Sequence, residues 1–338
     1  MKKANANLMK EINLNIVRQT MKGVEIATKP QLASWTKLSV VTINSLVREL
    51  CELGEILEDQ TAPSSGGRPA LTYRYNFDFS HALVIYMREK QGQELISFVV
   101  VNLDNQILFK EELLMSVFDR EQFYESIGGI VADDPAIKVI GIGIPGQVVG
   151  GEITVSGHLE LRGFPLIHEI ESHFGLPVMV ENDINAALRG YCAKNGLDLE
   201  DEVCVGGMYF PETYPPGMAI YMDGKIFKGK NGMAGEISFL PALGLDWHGQ
   251  IEELKFMETL CGIIQAVSVI LAPDRIVVYQ DRMAEEAQWY PLWETYQLQY
   301  PVPSYPEIIF QETFQQDFEA GMRWLTLKEL EPARQIHQ

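Results

Sequence analysis

The sequence predicts an α/β protein built from an N-terminal winged helix-turn-helix and a larger body with a mixed sheet. Three observations predict it. Residues 8–53 carry three short amphipathic helical stretches, and residues 55–76 follow with two strand-like runs around a Pro/Ser/Gly turn. From His81 onward, β-rich segments give way to helix-strand alternation. Charge divides at the same point: residues 1–75 carry ten Lys and Arg against seven Asp and Glu, whereas the net charge of the whole chain is −19. A chain of 338 residues has room for two or three domains of about 100 to 200 residues each. Its 46% hydrophobic and 22% charged residues are those of an ordinary globular protein, without a compositional sign of disorder.

In the first helix, residues 8–21, Leu8, Ile12, Ile16 and Val17 stand at helical spacing, and Gly23 supplies a stop. Thr28-Lys29-Pro30 offers an N-cap with proline in the first turn of a short second helix, with Leu32, Ala33 and Leu38 facing inward. A turn at Thr36-Lys37-Leu38 leads to Ser39, which caps a third helix whose buried stripe is Ile43, Leu46, Val47 and Leu50. The other side of that helix is the candidate recognition surface for a double-stranded DNA operator. Thr42, Asn44 and Ser45, beside Ser39, can hydrogen-bond base edges or phosphates, Val41 can meet a thymine methyl, and Lys37 or Arg48 can hold the backbone. EILEDQTAPSSGGRPALTYRYN then forms a β-hairpin wing, in which Arg68 of Gly67-Arg68-Pro69 can enter a narrow minor groove, touch a phosphate, or pair with the acidic body. One winged helix buries little surface, so a homodimer or homotetramer on a pseudo-palindromic site is expected.

Beyond the head, HALVIYMRE and ELISFVVVNLDNQIL read as strands, residues 119–132 as a helix, KVIGIGIPGQV as a strand and turn, and EAGMRWLTLKEL as a closing helix. No repeat appears at the short periods of solenoids. No apolar run of about 18 residues is visible and the N-terminus lacks the apolar core of a secretion signal, so no membrane partner and a cytoplasmic location are expected. Cys51, Cys192, Cys204 and Cys261 are scattered without a C-x-x-C pair, which suggests four buried reduced thiols.

The order of these motifs resembles the ROK family (repressors, open reading frames and kinases), in its repressor branch. The residues that carry the resemblance are LSVVTINSLVRELCELGEI, the GGRP wing end, Gly141-Ile142-Gly143-Ile144-Pro145-Gly146, residues 177–187 (PVMVENDINAA), and Asp223-Gly224-Lys225 through Gly235-Glu236-Ile237. It implies a two-lobed, actin-like ATPase (ribonuclease H-like) body, with lobes at 76–190 and 191–338 behind a winged helix-turn-helix at 1–75. It also implies that Asp183, beside Asn182, stands where family kinases place a general base on a sugar hydroxyl. A carboxylate there can accept a hydroxyl hydrogen bond or merely hold it, and both residues can equally cap the helix that follows. Glu236 and His158 fall where the family contacts sugar, although an ordinary loop histidine is an equal reading of His158. Trp247, Tyr209 and Tyr214 read first as packing or rim aromatics.

The departures from the pattern bear on activity. The family's kinases open the body with Asp-x-Gly-Gly-Thr, and this chain has Tyr86-Met87-Arg88-Glu89-Lys90-Gln91-Gly92-Gln93. A second glycine-rich turn reads Gly206-Gly207-Met208-Tyr209-Phe210-Pro211 and continues through more prolines. Phosphate cradling needs backbone N–H groups that bulky residues keep away. The family's Glu-x-Gly-His and cysteine knuckle are replaced by Glu236-Ile237-Ser238-Phe239 and LPALGLDWHGQ, in which His248 is a lone donor. The expectation is therefore a regulator with no catalytic residues, cofactor or metal, which senses a sugar or related metabolite. A sugar kinase with a DNA-binding head, and a regulator answering to a protein partner, remain the alternatives.

Overall fold

The computed structural model describes residues 2–62, 70–90, 92–149, 152–156, 165–200, 202–212, 215–240, 251–281 and 286–331. They divide into two units. The first comprises residues 1–81 with Asn102–Gln106 and the segment from Leu330, and the second holds Ala82–Val101 and Ile107–Glu329.

In the first unit, α1 (Lys2–Val24) is followed by β1 (Ile26–Thr28), α2 (Lys29–Thr36), α3 (Val40–Leu53), β2 (Ile56–Ala62) and β3 (Ala70–Tyr75). Thr28 and Gln31 form a capping box at α2, and Lys37 ends that helix in the left-handed region at φ 60°. Strands pair in the order β1-β3-β2, so the wing hairpin and a short strand cover the helices. This element order is that of a winged helix-turn-helix. Ile43, Leu46, Val47 and Leu50 of α3 are buried, as their spacing predicts, together with Leu32, Ile56 and Tyr73. The stripe on α1 differs from the expected one. Leu14, Val17 and Met21 are buried, whereas Leu8 and Ile16 are exposed. The helix also passes Gly23 and ends before Glu25, whose φ is 64°. Arg18 of α1 grips the buried Glu55 through two N–H donors, at 2.5 and 2.7 Å.

The second unit contains β4 (His81–Lys90, entering from the head), β5 (Gln93–Asn102), β6 (Ile107–Met115), α4 (Arg120–Asp133), β7 (Ile137–Ile144), β8 (Gly146–Val149), β9 (Glu152–Ser156), α5 (Leu166–Phe174), β10 (Val178–Asn182) and α6 (Asp183–Lys194). It continues with β11 (Cys204–Phe210), β12 (Gly217–Met222), β13 (Lys225–Ile226), α7 (Glu253–Leu271), β14 (Arg275–Gln280), α8 (Glu286–Gln299), β15 (Glu307–Gln311) and α9 (Phe314–Glu329). Two five-stranded sheets result, ordered β10-β7-β4-β5-β6 and β13-β12-β11-β14-β15. Both follow one scheme: third, second, first, fourth and fifth strand of the half. The body is thus a structural duplication, the two-lobed actin-like arrangement. Helix α6 runs across residues 190 and 191, where the lobe division was expected.

Helices α6 and α9 cross closely, because a Cβ at Gly190 would overlap the Asp317 carbonyl and one at Gly321 the Ala186 carbonyl. The glycines of the GIGIPG motif have a related purpose. Any side chain at Gly141 would strike Thr326, and one at Gly143 would strike Phe318, so α9 lies directly on β7. Contrary to the sequence expectation, α7 is long and apolar enough to cross a membrane by length and composition. Half of that stretch is buried, with Phe256, Leu260, Ile263 and Ile264 in the core of the second sheet. Cys51 is only half-buried, and the other three thiols are buried as expected.

Candidate functional site

The DNA-facing candidates lie on the first unit. Ser39 caps α3 by accepting the Thr42 N–H at 3.1 Å, and its hydroxyl also lies 2.8 Å from that of Thr42. Thr42 is consequently half-buried and partly committed to the cap. Lys37, Ser39, Val41, Asn44, Ser45 and Arg48 are exposed, Val41 at 80%, and Arg48 pairs loosely with Glu52 at 3.8 Å. A hydrophobic residue this open at the start of a capped helix, followed by amide and hydroxyl groups, forms a surface able to meet a major groove. Arg68 lies outside the described residues.

The second candidate site is built where β10 ends and α6 begins. Asn182, in register with Ile144 across the parallel β7–β10 pair, caps α6 by accepting the Asn185 N–H at 3.2 Å. Its amide donates to the Gly146 carbonyl at 2.6 Å, joining two motifs that lie 36 positions apart. Asp183 follows as the first residue of the helix, where a carboxylate is favoured by the helix dipole, and accepts the Ile184 N–H at 2.8 Å. Burial nevertheless raises its carboxyl to about 7, a shift opposed by its hydrogen bonds and reinforced by the charge of Glu236. Glu236 is itself pushed upward by burial. Gly235, at φ 87°, presses against the Met218 backbone, and its carbonyl accepts the Met218 N–H at 2.9 Å, which fixes the turn that presents Glu236. Asn182, Asp183 and Glu236 are therefore brought together. They offer two carboxyls that ionise late and an amide, a set suited to hydroxyl donors.

One pair at this site escapes sequence reasoning. Glu181 is buried and accepts from the Asn182 N–H and the Asn185 amide, both at 3.0 Å, while Lys228 reaches its other oxygen at 2.8 Å. A glutamate at the inner end of a strand calls for a cation, since a lone buried carboxylate is costly. Lys228 also accepts the Ala234 N–H through its carbonyl, so the pair ties the Glu236 turn to β10. His158, Trp247, Tyr214 and His248 lie outside the described residues.

The segments that differ from the kinase pattern hold packed side chains in strands β4 and β11. Tyr86 and Met87 are buried within β4, and the Tyr86 hydroxyl donates to the Glu319 carbonyl at 3.2 Å. Tyr209 stacks on Phe314 with ring centroids 3.7 Å apart and donates its hydroxyl to Asp281 at 2.8 Å. Tyr209 is thus a packing aromatic. Phe239 offers no metal donor where the family has histidine, and the residues present do not suit its zinc.

The ROK family model matches residues 90–263. The xylose repressor of Caldicellulosiruptor bescii is 26% identical over 246 residues, 69% of this chain and 59% of that protein. The DNA-binding transcriptional dual regulator NagC of Escherichia coli is 24% identical over 250 residues, 70% of this chain and 59% of that protein. The chain thus spans about three fifths of the length of the curated relatives it matches. Among solved structures, a ROK family transcriptional regulator described as a homologue of the E. coli MLC protein superposes with a TM-score of 0.63 at 17% identity, covering 95% of this chain and 99% of that one. The ROK hexokinase of Thermus thermophilus superposes at 0.54 and 17% identity, over 74% of this chain and 99% of its own. With the family model covering more than half of its length and the duplicated body in place, the chain belongs to the ROK family.

Proposed function

We propose that this chain is a cytoplasmic DNA-binding regulator of carbohydrate-related transcription, a repressor, whose body binds a sugar or sugar derivative and transfers no phosphate. The observation that carries the reading is a contrast within the body. The trio Asn182, Asp183 and Glu236 stands at the sugar-side positions, whereas the two segments that would cradle phosphate hold Tyr86 and Met87 buried in β4 and Tyr209 of β11 stacked on Phe314. The exposed face of α3, with Asn44 and Ser45 beside Val41, supports the DNA half, and two relatives bear the names of transcriptional regulators. Steering has a simple basis. The head carries a small positive charge and the rest a large negative one, so phosphate attracts one end of the chain and repels the other.

The test is calorimetric titration of D-xylose and N-acetylglucosamine into the full chain and into Asp183→Asn. The expected result is heat from one sugar in the parent protein and none in the variant. Asp183 also has what a general base needs, a carboxyl that ionises near neutrality. ATP-dependent phosphorylation of either sugar, abolished by Asp183→Asn, would replace this reading with a kinase.

A further inference from the structure

We propose that α9 is a strut that carries the state of the ligand site to the DNA-binding head. Its functional meaning rests on the regulator reading above, while its geometry stands on three links. At the site end, α6 starts at Asp183 and crosses α9 at Gly190 and Gly321 with backbone against backbone. The crossing is pinned by the buried carboxylate of Asp317, which accepts the hydroxyls of Tyr279 and Thr313 at 3.0 and 2.8 Å. Such a contact has no soft side chains to absorb a shift of α6.

The second link is β7, whose far end leads to the Gly146 carbonyl held by Asn182. Thr326 fills the space over Gly141, and Phe318 fills that over Gly143 while meeting Tyr86 edge-on at 5.6 Å. The helix touches both elements that frame Asn182 and Asp183, and close-packed interiors transmit displacement instead of dissipating it.

The third link is the ion pair just beyond the end of the helix. Helix α9 ends at Glu329, and the chain passes at once to Leu330 and Glu331, which belong to the head unit. There the Glu331 carboxylate lies 3.1 Å from the ammonium of Lys22 on α1. Leu330 and Glu331 also line a cavity of about 290 Å³ together with Arg18, Glu55 and Tyr75. Leu14, Val17 and Met21 of α1 share one core with Ile43, Leu46 and Val47 of α3, so a pull on α1 is a pull on the recognition helix.

A mutant cycle on the full chain tests the strut. One arm perturbs the α6–α9 packing with Gly190→Ala or, should that variant not fold, with the milder Phe318→Leu. The other cuts the head end with Glu331→Lys, and the exchanged pair Lys22→Glu with Glu331→Lys restores it. Two readouts are taken: the Kd for a labelled duplex from upstream of the chain's own coding region, and hydrogen exchange in α1. The expected result is that the packing variant changes both by roughly two- to tenfold in the parent and exchanged-pair backgrounds, and not in Glu331→Lys. Equal changes in all backgrounds, or no change in any, would overturn the strut. Should no protein in the set bind DNA, the regulator reading fails on its own, and exchange in α1 still decides the strut.

Discussion

Asp183 is the residue whose chemistry is most sharply defined, and its ionisation has a consequence for stability. Unfolded, an aspartate ionises near 4, whereas in the folded chain this carboxyl ionises at about 7. The folded state therefore holds one more proton between those values, and stability falls as pH rises from about 4 to about 7. Asp183→Asn removes the cost of ionising a buried carboxyl. Melting temperatures of the two proteins should coincide near pH 4 and separate by pH 8, with the variant higher. A variant that is less stable at pH 8 would show that the carboxylate is stabilised by its surroundings. On the head, Asn44→Ala deletes an exposed amide that no cap or core requires, and should weaken specific DNA binding by about 1–3 kcal/mol at unchanged melting temperature. Unchanged affinity would move recognition off this face of α3. Asn182, Asp183 and Glu236 were legible as a set because each stands in a motif. Lys228 was not, since nothing near residue 228 announces the buried Glu181 that it neutralises.

At the level of elements, the sequence signals hold where local chemistry decides and fail where packing does. The Thr28 capping box, the Ser39 cap and the inward stripe of α3 were all readable from neighbouring residues. Helix α1 carries two apolar stripes of similar strength, and only contact with α2 and α3 selects Leu14, Val17 and Met21 over Leu8, Ile12 and Ile16. The glycines at 141 and 143 read as a motif, but their reason, the close approach of α9, belongs to residues more than 170 positions away. Ser39→Ala should cost about 0.5–2 kcal/mol through loss of the α3 cap, seen as a lower midpoint in urea unfolding. Arg18→Met should cost about 1–3 kcal/mol, because it leaves the buried Glu55 carboxylate without its two donors. A midpoint equal to that of the parent in either case would mean that solvent replaces the lost partner.

For the whole molecule, the duplicated sheet order is the feature the sequence concealed most completely. Each half arranges its strands in the same spatial sequence, yet pairings such as β11 with β14 join residues about 70 positions apart, beyond the reach of local pattern. The body shares its fold with sugar kinases, yet Tyr86 and Tyr209 lie packed within β4 and β11, in the segments that differ from the kinase pattern. Fold and chemistry are separable, so the shared fold does not by itself decide what the body binds or transfers. In the proposed function a basic head and an acidic sensing body act as one ligand-gated switch. Its most direct test is fluorescence anisotropy of the full chain on a labelled duplex from upstream of its own coding region, at fixed salt, with and without D-xylose, N-acetylglucosamine and their phosphates. Specific binding whose Kd shifts with one of these compounds, and no longer shifts in Asp183→Asn, is the predicted result. Specific binding indifferent to every compound, or no specific binding at all, would contradict it.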